Sequence, residues 1–94
     1  MKLSPKKLKL FERLTRGAAH QYRIKTLFLL KQHGNLSVGS ISELLRTSYK
    51  NTSQHLQKMT LSALIFKTKC GNETMHSIAP FGKEFLAFYN SIEL

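Results

Sequence analysis

The sequence predicts a mostly α-helical fold: about five helices with one small two-stranded β-hairpin. Three observations predict it. Residues 37–78 run as a short helix, a tight polar break, a second helix rich in hydrogen-bonding side chains, an alternating strand, a Gly-Asn turn and a return strand. Apolar residues recur three and four apart on both sides of that segment, the period of helices with one buried side. The chain has 94 residues, which suits a single domain over residues 1–94 with a modest core.

The elements follow in order. In the N-terminal helix, within residues 1–17, Ser4 is the expected N-cap and Pro5 the first helical residue. Leu10 and Leu14, with Leu3, Leu8 and Phe11, give it an apolar side, and Gly17 is expected to break it. A second helix from about Ala19 to His33 spaces Ile24, Leu27 and Leu30 three apart, and Gly34 ends it. Ser37 caps a third helix with Val38, Ile41, Leu44 and Leu45 turned inward. Thr47 and Ser48 restart the chain as helix 48–61, whose inward side is Thr52, Leu56 and Met59. A wing over residues 64–79 comes next: Leu64 to Cys70 alternates, Gly71-Asn72-Glu73 turns, and Met75 to Ala79 returns. Pro80 stops the strand. The C-terminal helix, residues 81–94, bears a stripe of Phe81, Phe85, Phe88 and Ile92.

Charge narrows the function. Fifteen Lys and Arg stand against five Asp and Glu, a net charge of +10. Such an excess favours a polyanionic partner, with double-stranded DNA first among candidates, although charge alone does not separate DNA from RNA. No stretch is apolar and long enough to span a membrane, and the basic start lacks the apolar core of a signal peptide. The lone Cys70 excludes an internal disulfide and fits a cytoplasmic protein. His20, His33, His55 and His76 are scattered, without metal-ligand spacing, and His55 is expected to orient locally within helix 48–61. No catalytic triad, carboxylate pair or phosphate-cradling glycine loop is present, so neither an enzyme nor a cofactor is expected.

Helix 48–61 presents Ser48, Tyr49, Lys50, Asn51, Ser53, Gln54 and Lys58. The amides of Asn51 and Gln54 can pair with adenine in the major groove through two hydrogen bonds. Tyr49, Lys50 and Ser53 can reach phosphates or base edges. The bland reading is a solvated face of an amphipathic helix; the preceding helix-turn and the following basic hairpin favour DNA contact. Lys67 and Lys69 share one face of the first wing strand, opposite a strand carrying His76, and suit the sugar-phosphate backbone. Edge lysines that discourage aggregation are the alternative. Lys2, Lys6, Lys7, Lys9, Arg13 and Arg16 could widen the phosphate-contacting surface. Leu10, Phe11 and Leu14 with Phe81, Phe85, Phe88 and Ile92 are too much apolar surface for so small a core, and are expected to join two copies.

These residues resemble the ArsR-type winged helix-turn-helix transcription repressors and, more loosely, the MarR type, over about Leu10 to Ile78. The resemblance rests on Tyr22-Arg23-Ile24 with Leu27, on Leu36-Ser37-Val38, and on Ser53-Gln54-His55-Leu56 with Met59 and Ala63-Leu64-Ile65. Ala63 and Arg46 stand where that family prefers glycine, and Lys58 replaces an apolar residue. The resemblance implies a homodimeric repressor. It also implies two metal-sensor positions, a cysteine pair in the third helix and clustered His and Asp in the last; residues 38–44 and 81–92 contain neither, so no metal is expected. The leading expectation is a sequence-specific DNA-binding regulator. The alternatives are a winged-helix module that buries helix 48–61 against a protein, for which Leu61, Phe88 and Tyr89 would speak, and a nucleic-acid-binding protein without sequence preference.

Overall fold

Five helices and a three-stranded antiparallel sheet make up a computed structural model that describes residues 3–92. The helices are α1 (Pro5–Ala18), α2 (Gln21–His33), α3 (Val38–Leu45), α4 (Tyr49–Leu61) and α5 (Pro80–Ser91). The strands are β1 (Leu36–Ser37), β2 (Ile65–Cys70) and β3 (Glu73–Ile78). Lys2, placed above among the basic residues of the N-terminal region, and the last two residues of the expected C-terminal helix lie outside the described residues.

Local chemistry sets most boundaries. Ser4 accepts from the Lys7 backbone N–H and Pro5 follows at the first helical position, where its missing N–H costs nothing. Gly34 closes α2 at φ 88°. The Ser37 hydroxyl accepts from the Ser40 N–H and starts α3. Gly71 holds φ 64° while Asn72 stays at negative φ. That is the pattern of a type II′ two-residue hairpin turn, which matches the right-handed twist of the flanking strands. It sets Cys70 opposite Glu73 and Ile65 opposite Ile78.

The core is one cluster of Ala18, Leu27, Leu30, Ile41, Leu56, Met59, Leu64, Ile65 and Leu86. Every helix and β2 contribute, so α4 and the wing are mounted on a common base. No described helix is long and apolar enough to cross a membrane.

Three expectations change. Gly17 does not break α1, which continues through Ala18; it is the point where α1 lies against α4. A Cβ there would overlap the Cβ and Oγ of Ser62 and sit 3.2 Å from Leu64 Cδ1. Leu44 is 50% exposed rather than inward, because it sits about 100° round the helix from Leu45 and Ser42 takes the inward place, its hydroxyl donating to Val38 O. The hairpin gains a short third strand, with Leu36 opposite His76 and Ser37 opposite Met75, too brief to show a period of two.

Candidate nucleic-acid interface

The α3–α4 turn is locked by its own backbone. Arg46 adopts the left-handed conformation (φ 54°, ψ 48°), while Arg46 N donates to Glu43 O and Thr47 N to Ser42 O. These two bonds form a Schellman motif. A glycine would enter that conformation freely; Arg46 does so at a cost of about 1 kcal/mol. Three residues later α4 begins, with Ser48 as its N-cap. Ser48 accepts from the Asn51 N–H at 3.0 Å, and the Asn51 amide nitrogen donates to Thr47 Oγ1 at 2.9 Å.

The same device ends α4. Ala63 N donates to Thr60 O and Leu64 N to Met59 O, with Ala63 at φ 62°. The helix therefore has a second Schellman stop, again without glycine, and the chain passes directly into β2. Thr52, Leu56 and Met59 are buried, fixing which side of α4 faces out.

That outward side carries Tyr49, Lys50, Ser53, Gln54, Gln57 and Lys58, all exposed. Ser48 is exposed at the N-cap. Asn51 differs: it is half-buried and its amide is engaged by the turn. Gln57 belongs to the row although the sequence reading passed over it. Its spacing, four after Ser53 and three after Gln54, is the signal that finds it. Lys67 and Lys69 are exposed on β2. Tyr49, Ser53 and Gln57 line an open groove with Lys67, Thr74 and His76, so one flank of α4 and the wing form a continuous concave surface.

His76 does not add to the wing's charge. It stands opposite Lys67 in the β2–β3 register, yet it is 4% exposed and its Nδ1 is buried without a partner. Burial and then Lys67 hold its pKa below 6.5, against a backbone contact to Leu36 that works the other way. The wing's positive charge is carried by its lysines.

His55 also departs from its expected local role. Arg23 of α2, nearly buried, donates Nε–H to His55 Nδ1 at 3.0 Å. The same guanidinium donates through Nη1 to Arg16 O and Gly17 O, carbonyls of the last turn of α1. Arg23 thus satisfies the Gly17 carbonyl, adds a second donor to the Arg16 carbonyl that Ala19 N already engages, and ties α1 and α2 to α4. The His55 ring lies 4.3 Å from that of His20, whose own Nδ1 caps α2 by accepting from Tyr22 N. Burial, then His20, Arg23 and Lys58, push the His55 pKa down. A neutral ring keeps Nδ1 as an acceptor for Arg23. Among the described residues no three His, Cys, Asp or Glu side chains cluster as metal ligands would.

The apolar residues divide. Leu14, Phe81 and Phe85 pack against the core, and Leu10 is half-buried. Phe11, Phe88 and Ile92 are exposed, as are Leu3, Leu8 and Tyr89.

No family model matches the sequence, and no curated protein does. Solved structures do match. The transcriptional repressor PagR of Bacillus anthracis is 26% identical at TM-score 0.82, over 92% of this chain and 99% of that one. HlyU from Vibrio cholerae is 22% identical at TM-score 0.82, over 94% and 96%. The homodimeric winged helix-turn-helix DNA-binding domain of Mb0332 from Mycobacterium bovis, described as a possible ArsR-family transcriptional regulator, is 22% identical at TM-score 0.78, over 99% and 94%. The fold is the winged helix-turn-helix, and the structural neighbours include a transcriptional repressor, a possible ArsR-family transcriptional regulator and a possible transcriptional regulator for arsenical resistance.

Proposed function

We propose that this winged helix-turn-helix chain is a homodimeric transcriptional repressor that reads double-stranded DNA. Helix α4 enters the major groove, with Tyr49, Lys50, Ser53, Gln54 and Gln57 toward base edges and Ser48 and Lys58 toward phosphates. Asn51 shapes the N-terminus of α4 through Thr47 and reaches DNA with the amide oxygen and the second N–H that this bond leaves free. Lys67 and Lys69 bring the wing to the backbone. The supporting observation is the exposed row on α4, whose two ends are each fixed by a Schellman turn at a non-glycine residue. Turns that fix the chain at both ends of one helix preorganise the surface it exposes, and left-handed non-glycine residues held there are the kind of local strain that functional sites retain.

Two copies join through α1 and α5. Phe11 and Leu8 on one, and Phe88 and Tyr89 on the other with Ile92 at its C-cap, are large apolar side chains left in water by the single chain. A two-fold pair would present two α4 helices to an inverted repeat.

Selection of bound sequences from random duplex DNA tests the reading. An enriched inverted repeat is the expected result. Salt-sensitive binding without enrichment would instead mark a non-specific nucleic-acid-binding protein. No duplex binding at all would move the function to protein contact, for which Leu61, 72% exposed at the end of α4, is the available anchor.

A further inference from the structure

Helix α1 is two-sided. Leu3, Leu8 and Phe11 line one shallow depression with Ser4, Lys7 and Glu12. Lys6, Lys9, Arg13 and Arg16 lie on another side, within an arc of about 80° at 3.6 residues per turn. This basic stripe borders an open cleft of about 990 Å³ between α1 and the C-terminal half of α4, floored by Leu10, Gly17 and Ala19 and closed on the far side by Lys58 and Leu61. Arg23 also lines it, its charge held by carbonyls and His55 rather than by a carboxylate. Among the described residues the one ion pair is Arg16 with Glu12, at 3.6 Å and exposed. The other cations of the cleft have no acidic partner.

We infer that the basic side of α1, Lys6, Lys9, Arg13 and Arg16 together with Lys58, is a second DNA-backbone contact surface that continues the α4 interface beyond the bases it reads. The inference rests on the proposed DNA-binding function. Continuity carries it: Lys58 belongs both to the exposed row of α4 and to this cleft, so a duplex seated on α4 passes its mouth. Length fits as well. Lys6 to Arg16 spans about 15 Å of helix axis, or four to five nucleotide steps of about 3.4 Å. Dimerisation through the apolar side of α1 leaves the basic side facing outward, which accounts for a helix amphipathic in charge as well as in hydrophobicity. Such contacts carry no sequence information and act through counterion release.

The test compares the full chain with Lys9→Gln/Arg13→Gln, both exposed positions, on the selected duplex at several salt concentrations. The salt slope should fall by about 2 for each bound protomer, with unchanged base preference and unchanged dimer mass. The charge-conserving Lys9→Arg/Arg13→Lys variant should keep the parent slope. An unchanged slope in the glutamine variant, or a uniform affinity loss at every salt concentration, overturns the inference while leaving α4 as the reader. Loss of binding to anionic vesicles with the duplex slope intact assigns the stripe to a membrane surface and also overturns it. A parent chain that binds no duplex refutes the proposed function and this inference together.

Discussion

Replacing Gly17 with alanine tests the contact that sets α1 against α4. An added Cβ would overlap both side-chain atoms of Ser62 and press on Leu64 Cδ1. The Ser62 hydroxyl can rotate aside, but its Cβ is fixed to the backbone that ends α4. Relieving the overlap to an ordinary carbon contact of about 3.5–4.0 Å therefore requires the two helices to part by about 1 Å. Overpacking of this kind costs about 3 kcal/mol at the upper end of its usual range. Alanine returns about 1 kcal/mol through its helix propensity, leaving a net loss of about 2 kcal/mol. For a domain of this size that lowers Tm by about 8–16 °C. Thermal and urea unfolding at fixed protomer concentration measure it, because dimerisation makes apparent stability depend on concentration. Adding Ser62→Gly should recover most of the loss, giving a coupling energy of about 1–2 kcal/mol between the two sites. A Gly17→Ala chain as stable as the parent would refute the close approach of α1 to α4, and with it the geometry of the basic cleft.

Ala63→Gly should stabilise the fold by about 0.5–1 kcal/mol, read as a raised urea midpoint, because glycine enters the φ 62° conformation without strain; a lowered midpoint would contradict that. Asn51→Ala should cost about 0.5–1.5 kcal/mol of stability by releasing Thr47. Gln54→Ala should leave stability alone and blur the selected sequence at a cost of about 1–3 kcal/mol in binding. Identical behaviour of the two variants would show that the turn bond does not separate their roles. His55 and His76 both have folded pKa values below 6.5, so folding favours their neutral forms. Their contribution is complete above that pH and is lost as pH falls below it, when the unfolded chain binds more protons. Urea midpoints should decline between pH 6.5 and the carboxylate range near about 4, and a flat or rising profile would count against both burials. Zinc titration should find no stoichiometric site, and one of submicromolar affinity would overturn the expectation drawn from the missing sensor residues.

The helix-turn-helix and wing order was legible because its signals are local. Ser4, Ser37 and Ser48 cap within three residues of themselves, Gly71 turns the hairpin, and Thr52, Leu56 and Met59 mark one side of α4 by spacing alone. Arg46 and Ala63 are singled out by the family resemblance, as residues standing where glycine is preferred, and the structure gives both a positive φ. Glycine was read less well where its role was not local. Gly17 looks like a helix breaker in sequence, and only the approach of Ser62, forty-five residues away, makes it a contact point.

The candidate site divides along the same line. Its exposed cations and Gln54 follow from helical period, since a side chain opposite the buried row must face out. Two of its features are long-range and were decided by the tertiary structure. Arg23 bonds His55 across 32 residues, and His76 is held neutral by burial on the central strand of the sheet rather than lent to the wing. The Asn51 bond to Thr47 spans only four residues and is a local feature that side-chain spacing alone does not show. Sequence by itself determined that the five helices and the wing hairpin form and which way α4 faces, because capping, turn chemistry and apolar period act over a few residues, whereas the two-residue β1 was visible only in the folded chain. Only the folded chain decided which polar side chains remain free to meet DNA, because hydrogen-bond partners and desolvation come from residues distant in sequence that packing brings together.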